Sequence, residues 1–283
     1  MLRLGDLTLA EFMRHLTRYG GTILEEEGLL LFAGAHPHPN PYRNGAIRLD
    51  ARLDPEEVLA RAGRFFTPRR RGYVLWVREH ADDDLGRAAE AASLQVLEEP
   101  GLPEYYLAGL PQELPPPDGI SLRSADDDRT RRDYVHVVAD GWGMRGVSLE
   151  LASSIFFDPE SVNAPNVAAY VAYLGDVPVS GAMAFVSHGV ALGCQGATVR
   201  RLDGGLQLPA PKGERSRRRG LADSCLCAAL KRSFEELGAR GSLCQASASG
   251  ASVWTRLGYR QFTSYRRYLA RPVTSRPDRP SWG

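Results

Sequence analysis

No apolar stretch in this sequence approaches the roughly 20 residues that a membrane-spanning helix needs, and its first residues lack the apolar core of a secretory signal. Lysine is nearly absent, since Lys212 and Lys231 are the only lysines among 35 basic residues. Cysteine is also scarce, and Cys225 and Cys227 have neither metal-ligand nor thioredoxin spacing. We therefore expect a globular, soluble, cytoplasmic protein that contains no metal.

The charges of the chain nearly cancel, because 35 basic residues face 34 acidic ones and leave a net charge of +1. Such a balance provides no attraction of the whole chain to nucleic acid or to an anionic membrane. With 43% hydrophobic residues, a chain of 283 residues can fill the cores of two ordinary domains. We expect neither a nucleic-acid nor a membrane partner.

Proline and turn residues are concentrated at positions 111–119, where neither a helix nor a central strand can continue. This stretch predicts a domain boundary. We divide the chain into a first domain at 1–112, a linker at 113–119, a second domain at 120–272 and a flexible tail at 273–283.

Hydrophobic periodicity predicts a regular order of elements in the second domain. They are a strand at 120–123, helices at 126–138 and 149–157, a meander of strands at 166–174, 177–187 and 189–199, a helix at 219–237, a strand at 242–247, a helix at 251–257 and strands at 259–270. The chain between 200 and 214 is rich in glycine and proline and predicts a loop or short hairpin.

The helix predicted at 219–237 begins with a basic, glycine-containing run. Its residues are Arg217, Arg218, Arg219, Gly220, Leu221 and Ala222. A glycine turn at a helix N-terminus exposes unpaired backbone N–H groups, and the helix dipole favours a phosphate there. Guanidinium groups add paired hydrogen bonds to phosphate oxygens. The run therefore predicts a pyrophosphate site.

This run, R-x-x-G-x-A, resembles the Q/R-x-x-G-x-G/A signature of the GCN5-related N-acetyltransferases (GNATs), and the element order of the second half is similar to that fold from end to end. The resemblance implies an α+β protein whose acetyltransferase-like domains are mixed, mostly antiparallel sheets flanked by helices. It also implies acetyl-CoA as co-substrate. The pantetheine arm would lie between strands 189–199 and 242–247, bonded to the backbone of Ala197, Thr198 and Val199.

The first half repeats the same theme more faintly. Its last strand reads Tyr105-Tyr106-Leu107-Ala108 before a proline, and the second half ends similarly at 267–270. The interval of about 160 residues suggests a duplicated fold. The slot between strand and helix holds 49–54, which has no phosphate-binding motif, so we expect no CoA site in this half. His36 and His38, in a proline loop without a third ligand nearby, are interpreted as loop residues.

The catalytic groups are less clear than the cofactor site. In the family a tyrosine on the last helix commonly protonates the departing thiolate, but the matching position here is Trp254, whose indole N–H does not give up its proton at neutral pH. We count Trp254 among the cofactor-binding positions. Tyr259 has a hydroxyl, although its position is typical of a core residue. Candidates for the general base are Glu150, Asp158, Glu160 and His188.

The leading hypothesis is an N-acetyltransferase that acts on a primary amine of a small-molecule or peptide acceptor, with its only CoA site in the second half. A non-catalytic acyl-CoA-binding or sensing protein is the alternative, favoured by Trp254 and by the insertion at 200–214. A nucleic-acid binder that uses the arginines at 69–71 and 215–219 is a third possibility. The sequence specifies neither the acceptor nor the oligomeric state.

Overall fold

The computed structural model describes residues 1–143, 148–199, 220–246 and 251–272. The elements before the linker are α1 Leu2–Arg18, β1 Thr22–Glu26, β2 Leu29–Ala33, β3 Asn44–Arg48, α2 Pro55–Phe66, β4 Tyr73–Arg78, α3 Asp83–Ala91, β5 Gln95–Val96 and β6 Leu102–Leu107. The elements after it are β7 Ile120–Ser124, α4 Asp128–Gly141, α5 Leu149–Ile155, α6 Pro159–Val162, β8 Val167–Leu174, β9 Val177–Ser187, β10 Val190–Thr198, α7 Leu221–Glu235, β11 Gly241–Gln245, α8 Ala251–Arg256 and β12 Arg260–Ala270.

All twelve strands belong to one sheet. Eleven lie side by side in the order β1, β2, β3, β4, β12, β6, β11, β10, β9, β8, β7, and β5 pairs with β12. The pairing is antiparallel except between β3 and β4 and between β10 and β11. The prediction of an α+β fold with a mostly antiparallel sheet is confirmed.

The sheet order shows an exchange of strands that the sequence did not predict. The last strand of the first half, β6, pairs with β11 of the second half, and the last strand of the second half, β12, pairs with β4 of the first. Strands β6 and β12 also pair with each other, from Arg260 opposite Tyr106 to Tyr265 opposite Leu102. Each half therefore completes the sheet of the other.

Helix α1 packs against both halves because its apolar residues point in two directions. Leu9 and Met13 belong to a core cluster with strands of the first half. Phe12 and Leu16 belong instead to a cluster with strands of the second half, where the Phe12 ring centroid lies 5.4 Å from that of Phe185. One amphipathic helix thus covers the seam between the halves.

The loop that contains His36 and His38 also ties the halves together. Asn40 donates from Nδ2 to the carbonyl of Ile155 at 3.1 Å, and buried Arg43 donates from Nη1 to the carbonyl of Phe156 at 3.1 Å. These carbonyls belong to the C-terminal end of α5, where the helix leaves them without internal partners. The loop therefore caps a helix of the opposite half.

Several predicted boundaries were wrong for identifiable reasons. The helix predicted at 149–157 ends at Ile155, because the Asp158 side chain accepts from Glu160 N and caps a new short helix with Pro159 in its first turn. The strands predicted at 259–270 are one strand of 11 residues.

Some predictions fall outside the described residues, namely the insertion at 200–214, Arg217, Arg218, Arg219 and the tail at 273–283. Within the described ranges, no helix is long and apolar enough to cross a membrane. The same ranges contain no group of three or more His, Cys, Asp or Glu side chains arranged to hold a metal ion.

Candidate functional site

Strands β10 and β11 separate after a short parallel pairing. The paired residues run from Val190 opposite Gly241 to Gly193 opposite Cys244. Beyond Gly193, β10 follows β9 through a bulge to Thr198, and Gln195 in the bulge has a left-handed φ of 52°. A gap therefore opens between the two strands on the C-terminal side of Gly193, and we call it the splay.

Thr198 is the residue whose backbone turns toward the splay. Its neighbour Val199 already donates its N–H to the carbonyl of Val179 at 3.0 Å, on the opposite side of the strand. Backbone groups of successive residues in a strand point to alternate sides, so Thr198 directs its N–H and C=O away from β9. Of the three residues predicted to bind pantetheine, Val199 uses its N–H to bond Val179. The carbonyl oxygen of Ala197 already accepts a hydrogen bond from Ser180 Oγ at 2.7 Å.

The N-terminus of α7 lies next to this strand. Gly220 occupies the N-cap with a left-handed φ of 70° and provides no side-chain cap. A Cβ placed on Gly196, in the β10 bulge, would lie 3.9 Å from the Cβ of Ala222 in the first turn of α7. The predicted phosphate-binding turn and the predicted pantetheine strand are therefore neighbours in space, as the motif requires.

One carboxyl group in the same turn opposes anion binding. Asp223 is partly buried, and burial raises its pKa, while the nearby Arg256 guanidinium lowers it. Arg256 Nη2 lies 4.0 Å from Asp223 Oδ2. An ionised Asp223 would repel a phosphate at the helix N-terminus, and protonation or pairing with Arg256 would weaken that repulsion.

In the first half, side chains of the protein occupy the places that correspond to the N-terminus of α7 and to the splay. Helix α2 is capped by Asp54, whose Oδ1 accepts from Glu57 N at 3.2 Å. The residue after the last β3–β4 pair is Arg48, which is fully buried and bonded to Asp82 and Asp84. Both features differ from the second half, where Gly220 occupies the N-cap of α7 and β10 separates from β11 after Gly193.

Trp254 and Tyr259 both lie in the core behind the splay. Their rings meet edge to face with centroids 4.9 Å apart. A Cβ on Gly193 would lie 3.5 Å from Trp254 Cη2, so the indole sits under the residue at which the strands separate. The Tyr259 hydroxyl pairs with Ser242 Oγ at 2.6 Å, and burial raises its pKa far above the ordinary range. This environment fits the core role expected for Tyr259.

The structure does not bring the candidate bases together at the splay. His188 is exposed in the turn before β10, at the opposite end of that strand, with φ of 51°. Glu150 is exposed in the first turn of α5. Asp158 caps α6, and Glu160 lies in the first turn of that helix. None of these four has a described contact with the β10–β11 splay.

The arginine cluster at 69–71 lies in the turn between α2 and β4, as the sequence indicated. Arg69 stacks on Phe65 with its guanidinium carbon 4.0 Å from the ring centroid. Arg71 donates to the carbonyls of Gly34 and Ala35. These two guanidinium groups therefore contact the Phe65 ring and the loop backbone.

One buried acid at the splay was missed by the sequence analysis. Glu104 on β6 pairs with Gln245, the last residue of β11 and the first beyond the β10–β11 pairing. Its side chain is fully buried. The signal that could have found it is a single glutamate in an otherwise apolar strand, because a buried carboxylate is rare without a partner.

No family model and no curated protein matches the sequence, but solved structures match along nearly its whole length. A GCN5-related N-acetyltransferase from Kribbella flavida is 16% identical, with a TM-score of 0.64 over 92% of this chain and 93% of its own. The tandem GNAT protein from the clavulanic acid biosynthesis pathway is 13% identical, with a TM-score of 0.55 over 97% and 98%. A putative GNAT acetyltransferase from Novosphingobium aromaticivorans is 12% identical, with a TM-score of 0.53 over 95% and 96%.

The chain has the GNAT fold. The matched lengths include both halves, in agreement with the duplicated architecture indicated by the similar endings of the halves. At these identities the likeness establishes the fold, and activity has to be argued from the site. Within this GNAT fold, the splay lies beside the first turn of α7, and Gln245, the partner of Glu104, is the first residue of β11 beyond the β10–β11 pairing.

Proposed function

We propose that this protein transfers an acetyl group from acetyl-CoA to a primary amine of a small-molecule or peptide acceptor. The observation that carries the proposal is the difference between the two halves at equivalent places. The second half has an open splay beside a helix N-terminus with no side-chain cap, whereas Asp54 and Arg48 fill the first half. A helix N-terminus of this kind is suited to a phosphate group.

In the proposed complex, the CoA pyrophosphate lies at Gly220, Leu221 and Ala222. Arg217, Arg218 and Arg219, which precede this turn in the sequence, are proposed to bind the phosphate oxygens. Thr198 offers its backbone N–H and C=O to the pantetheine arm, as an added strand would be bound. Trp254 supports the floor of the splay near the thioester. The thiolate leaves without a tyrosine acid at this position, and solvent water supplies its proton.

The duplicated division of the chain is part of the proposal. Residues 1–112 act as a degenerate acetyltransferase-like domain that supports the site, residues 113–119 link the halves, and residues 120–272 bind acetyl-CoA. Because β6 and β12 are exchanged, the first half also contributes side chains to the region of the splay. The acceptor then binds on the face covered by α1 and α4.

A non-catalytic acyl-CoA-binding or sensing protein is the alternative. Trp254 favours it, because the indole fills the position of the usual acid and packs against Tyr259. Such a protein would bind acetyl-CoA with the same residues and release no CoA in the presence of amines.

Two substitutions of Gly220 that differ from each other in charge but not in size test the cofactor site. Gly220→Asp and Gly220→Asn place side chains of equal size at a left-handed position that both tolerate better than other residues do, and both can cap α7. Aspartate alone adds a negative charge beside the pyrophosphate. We expect calorimetric titration to show that Gly220→Asp binds acetyl-CoA at least tenfold more weakly than Gly220→Asn, although both keep the thermal stability of the wild type.

The substitution Asp223→Asn should change the affinity for acetyl-CoA in the opposite direction. Removing this carboxylate from the first turn of α7 should strengthen acetyl-CoA binding, because a repulsive charge is lost without a change in shape. Equal affinities for Gly220→Asp and Gly220→Asn would place the cofactor elsewhere. If the wild type binds acetyl-CoA but releases no thiol with any primary amine, the sensing alternative replaces the enzyme.

A further inference from the structure

Glu104 and Gln245 face each other across β6 and β11, and each has a buried polar atom that makes no hydrogen bond of good geometry. These atoms are Glu104 Oε1 and Gln245 Nε2. Burial raises the pKa of Glu104, whereas the mutual interaction of the pair lowers it. Because a carboxylate oxygen has two lone pairs, Glu104 Oε1 can accept a further hydrogen bond from a substrate N–H. The pair consists of one acceptor and one donor.

The pair lies at the mouth of the splay and faces the side on which α1 and α4 pack. Gln245 follows Cys244, the last residue of β11 that pairs with β10. Directly opposed residues point to the same face of a sheet, and Leu243, two positions before Gln245, belongs to the core cluster that contains residues of α1 and α4. Glu104 therefore shares that face.

The side chain of Tyr42 lies between the pair of Glu104 and Gln245 and the solvent. It is partly exposed, and its hydroxyl donates to Gln245 Oε1 at 3.2 Å. Burial raises the pKa of the Tyr42 hydroxyl, and the positive charge of Arg267 opposes this rise.

The other carboxyl oxygen of Glu104 is connected to the surface by hydrogen bonds. The Tyr265 hydroxyl lies 3.3 Å from Glu104 Oε2 and 3.0 Å from Asp6 Oδ1. Asp6 has a side chain that is 17% exposed, and its Oδ2 accepts from Arg78 Nη1 at 3.2 Å and pairs with His80 Nε2 at 3.1 Å. A proton on Glu104 therefore has a continuous path through Tyr265 to Asp6 and to water.

We propose that Glu104, supplied by the first half, is the general base that takes the proton from the attacking amine in the second half. This inference rests on the proposed acetyltransferase function. Glu104 Oε1 removes a proton from the nitrogen as it bonds to the thioester carbonyl carbon. The carbon–sulfur bond then breaks, and the thiolate leaves and is protonated by water. The protonated carboxyl group of Glu104 then turns to present its proton to the Tyr265 oxygen, the Tyr265 hydroxyl proton passes to Asp6, and Asp6 releases a proton to water.

The electrostatic surroundings suit this role. Burial and then the negative charge of Asp6 raise the pKa of Glu104 to about 8, against the hydrogen bonds of Tyr265 and Gln245, which lower it. A general base works best when its pKa lies near the working pH. Arg78 and His80 face Asp6, and Cys244 lies on the neighbouring strand. Among the described residues, Arg267 acts on Tyr42, the neighbour of Gln245, and no cation has a contact with Glu104 itself.

The test compares Glu104→Gln with Glu79→Gln in the whole chain. Glu79 accepts a hydrogen bond from Ser264 at the far side of β12, so its change is chemically matched and leaves the proposed base intact. Acetyl-CoA binding is measured by calorimetry, and turnover by thiol release with n-propylamine as the probe acceptor. We expect Glu104→Gln to lower kcat by about 10²–10⁴ and to keep acetyl-CoA affinity, while Glu79→Gln matches the wild type.

The pH profile separates a base from a structural carboxyl group. The ratio of wild-type to Glu104→Gln rate cancels the ionisation of the amine itself, and this ratio should rise with pH and level off above about 8. Tyr265→Phe, which interrupts the path to Asp6 but keeps the base, should give a smaller loss than Glu104→Gln.

Two outcomes would overturn the inference. Equal rates for the wild type and Glu104→Gln, or a ratio that does not change with pH, would show that Glu104 has a structural role, even if acetyl-CoA still binds. Loss of acetyl-CoA binding in the wild type itself would instead remove the proposed function and the base with it. Because binding and turnover are measured separately, the two failures are distinguishable.

Discussion

Glu104 and Gln245 lie directly opposite each other in neighbouring strands, although one belongs to the first half of the chain and the other to the second. Their proximity is a consequence of the exchange that inserts β6 between β11 and β12. The buried carboxyl group of Glu104, beside the end of the β10–β11 pairing, is thus contributed by the first half.

The stability of the protein should depend on pH through Glu104. Burial raises the pKa of this carboxyl to about 8, so the folded chain keeps a proton that the unfolded chain releases above the ordinary carboxyl range. Stability should therefore fall as pH rises toward 8, by at most roughly 1.4 kcal/mol per pH unit. Urea unfolding of the wild type and of Glu104→Gln at pH 5 and pH 8 measures this slope.

The glutamine variant should lose less stability than the wild type between these two pH values, because it has no proton to release. At pH 8 it should be the more stable of the two. An identical loss in both proteins would mean that Glu104 titrates in the folded chain as it does in the unfolded one.

Gly141 should control access to the backbone of Thr198. A Cβ at this position would lie 2.6 Å from Ala197 Cβ and 3.1 Å from the carbonyl oxygen of Thr198. Gly141→Ala should therefore destabilise the protein by about 1–3 kcal/mol through overpacking and weaken acetyl-CoA binding at the β10 edge. Calorimetry and urea unfolding measure the two effects.

Gly63 provides the matched control for that substitution. It also lies in a helix, and a Cβ added there meets no atom within 4 Å. Gly63→Ala should stabilise the protein by up to about 1 kcal/mol and leave acetyl-CoA binding unchanged. If Gly141→Ala behaves like Gly63→Ala, β10 can shift at no cost and Thr198 is not a fixed contact.

The two halves should unfold in one transition, because β6 and β12 each complete the sheet of the opposite half. Trp76 is buried in the first half and Trp254 in the second. Variants that keep either Trp76 or Trp254 as the single tryptophan should show urea transitions with the same midpoint and slope. Two separated midpoints would show that the halves are stable without the exchanged strands.

The sequence predicted the features that depend on local periodicity and composition. Pro111 to Gly119 lie between β6 and β7, as their turn residues predicted, alternating apolar residues marked the meander from β8 to β10, and Gly220 marked the start of α7. The run at 49–54 lacks a phosphate motif, and its last residue, Asp54, caps α2. Each of these signals is carried by residues within one element or turn.

The proposed general base, Glu104, could not be predicted from local periodicity and composition, because its surroundings depend on contacts between distant segments of the chain. Glu150 and His188 were chosen for their chemistry and their places in the predicted elements, and the structure leaves both exposed. Glu104 has no distinguishing neighbour in sequence, and its pKa is raised by burial under Gly5 of α1 and by the charge of Asp6. The burial of a side chain and the charge around it depend on residues from every element that surrounds it.

The sequence by itself determined the α+β class, the duplication and the order of elements, because backbone geometry and side-chain periodicity act over a few residues. Tertiary structure alone decided which strands are exchanged, that Arg48 is buried against Asp82 and Asp84, and that Glu104 lies opposite Gln245. Strand pairing joins residues far apart in the chain, and several pairings satisfy the same apolar pattern equally well. The packed sheet, with α1 across its seam, selects one of them.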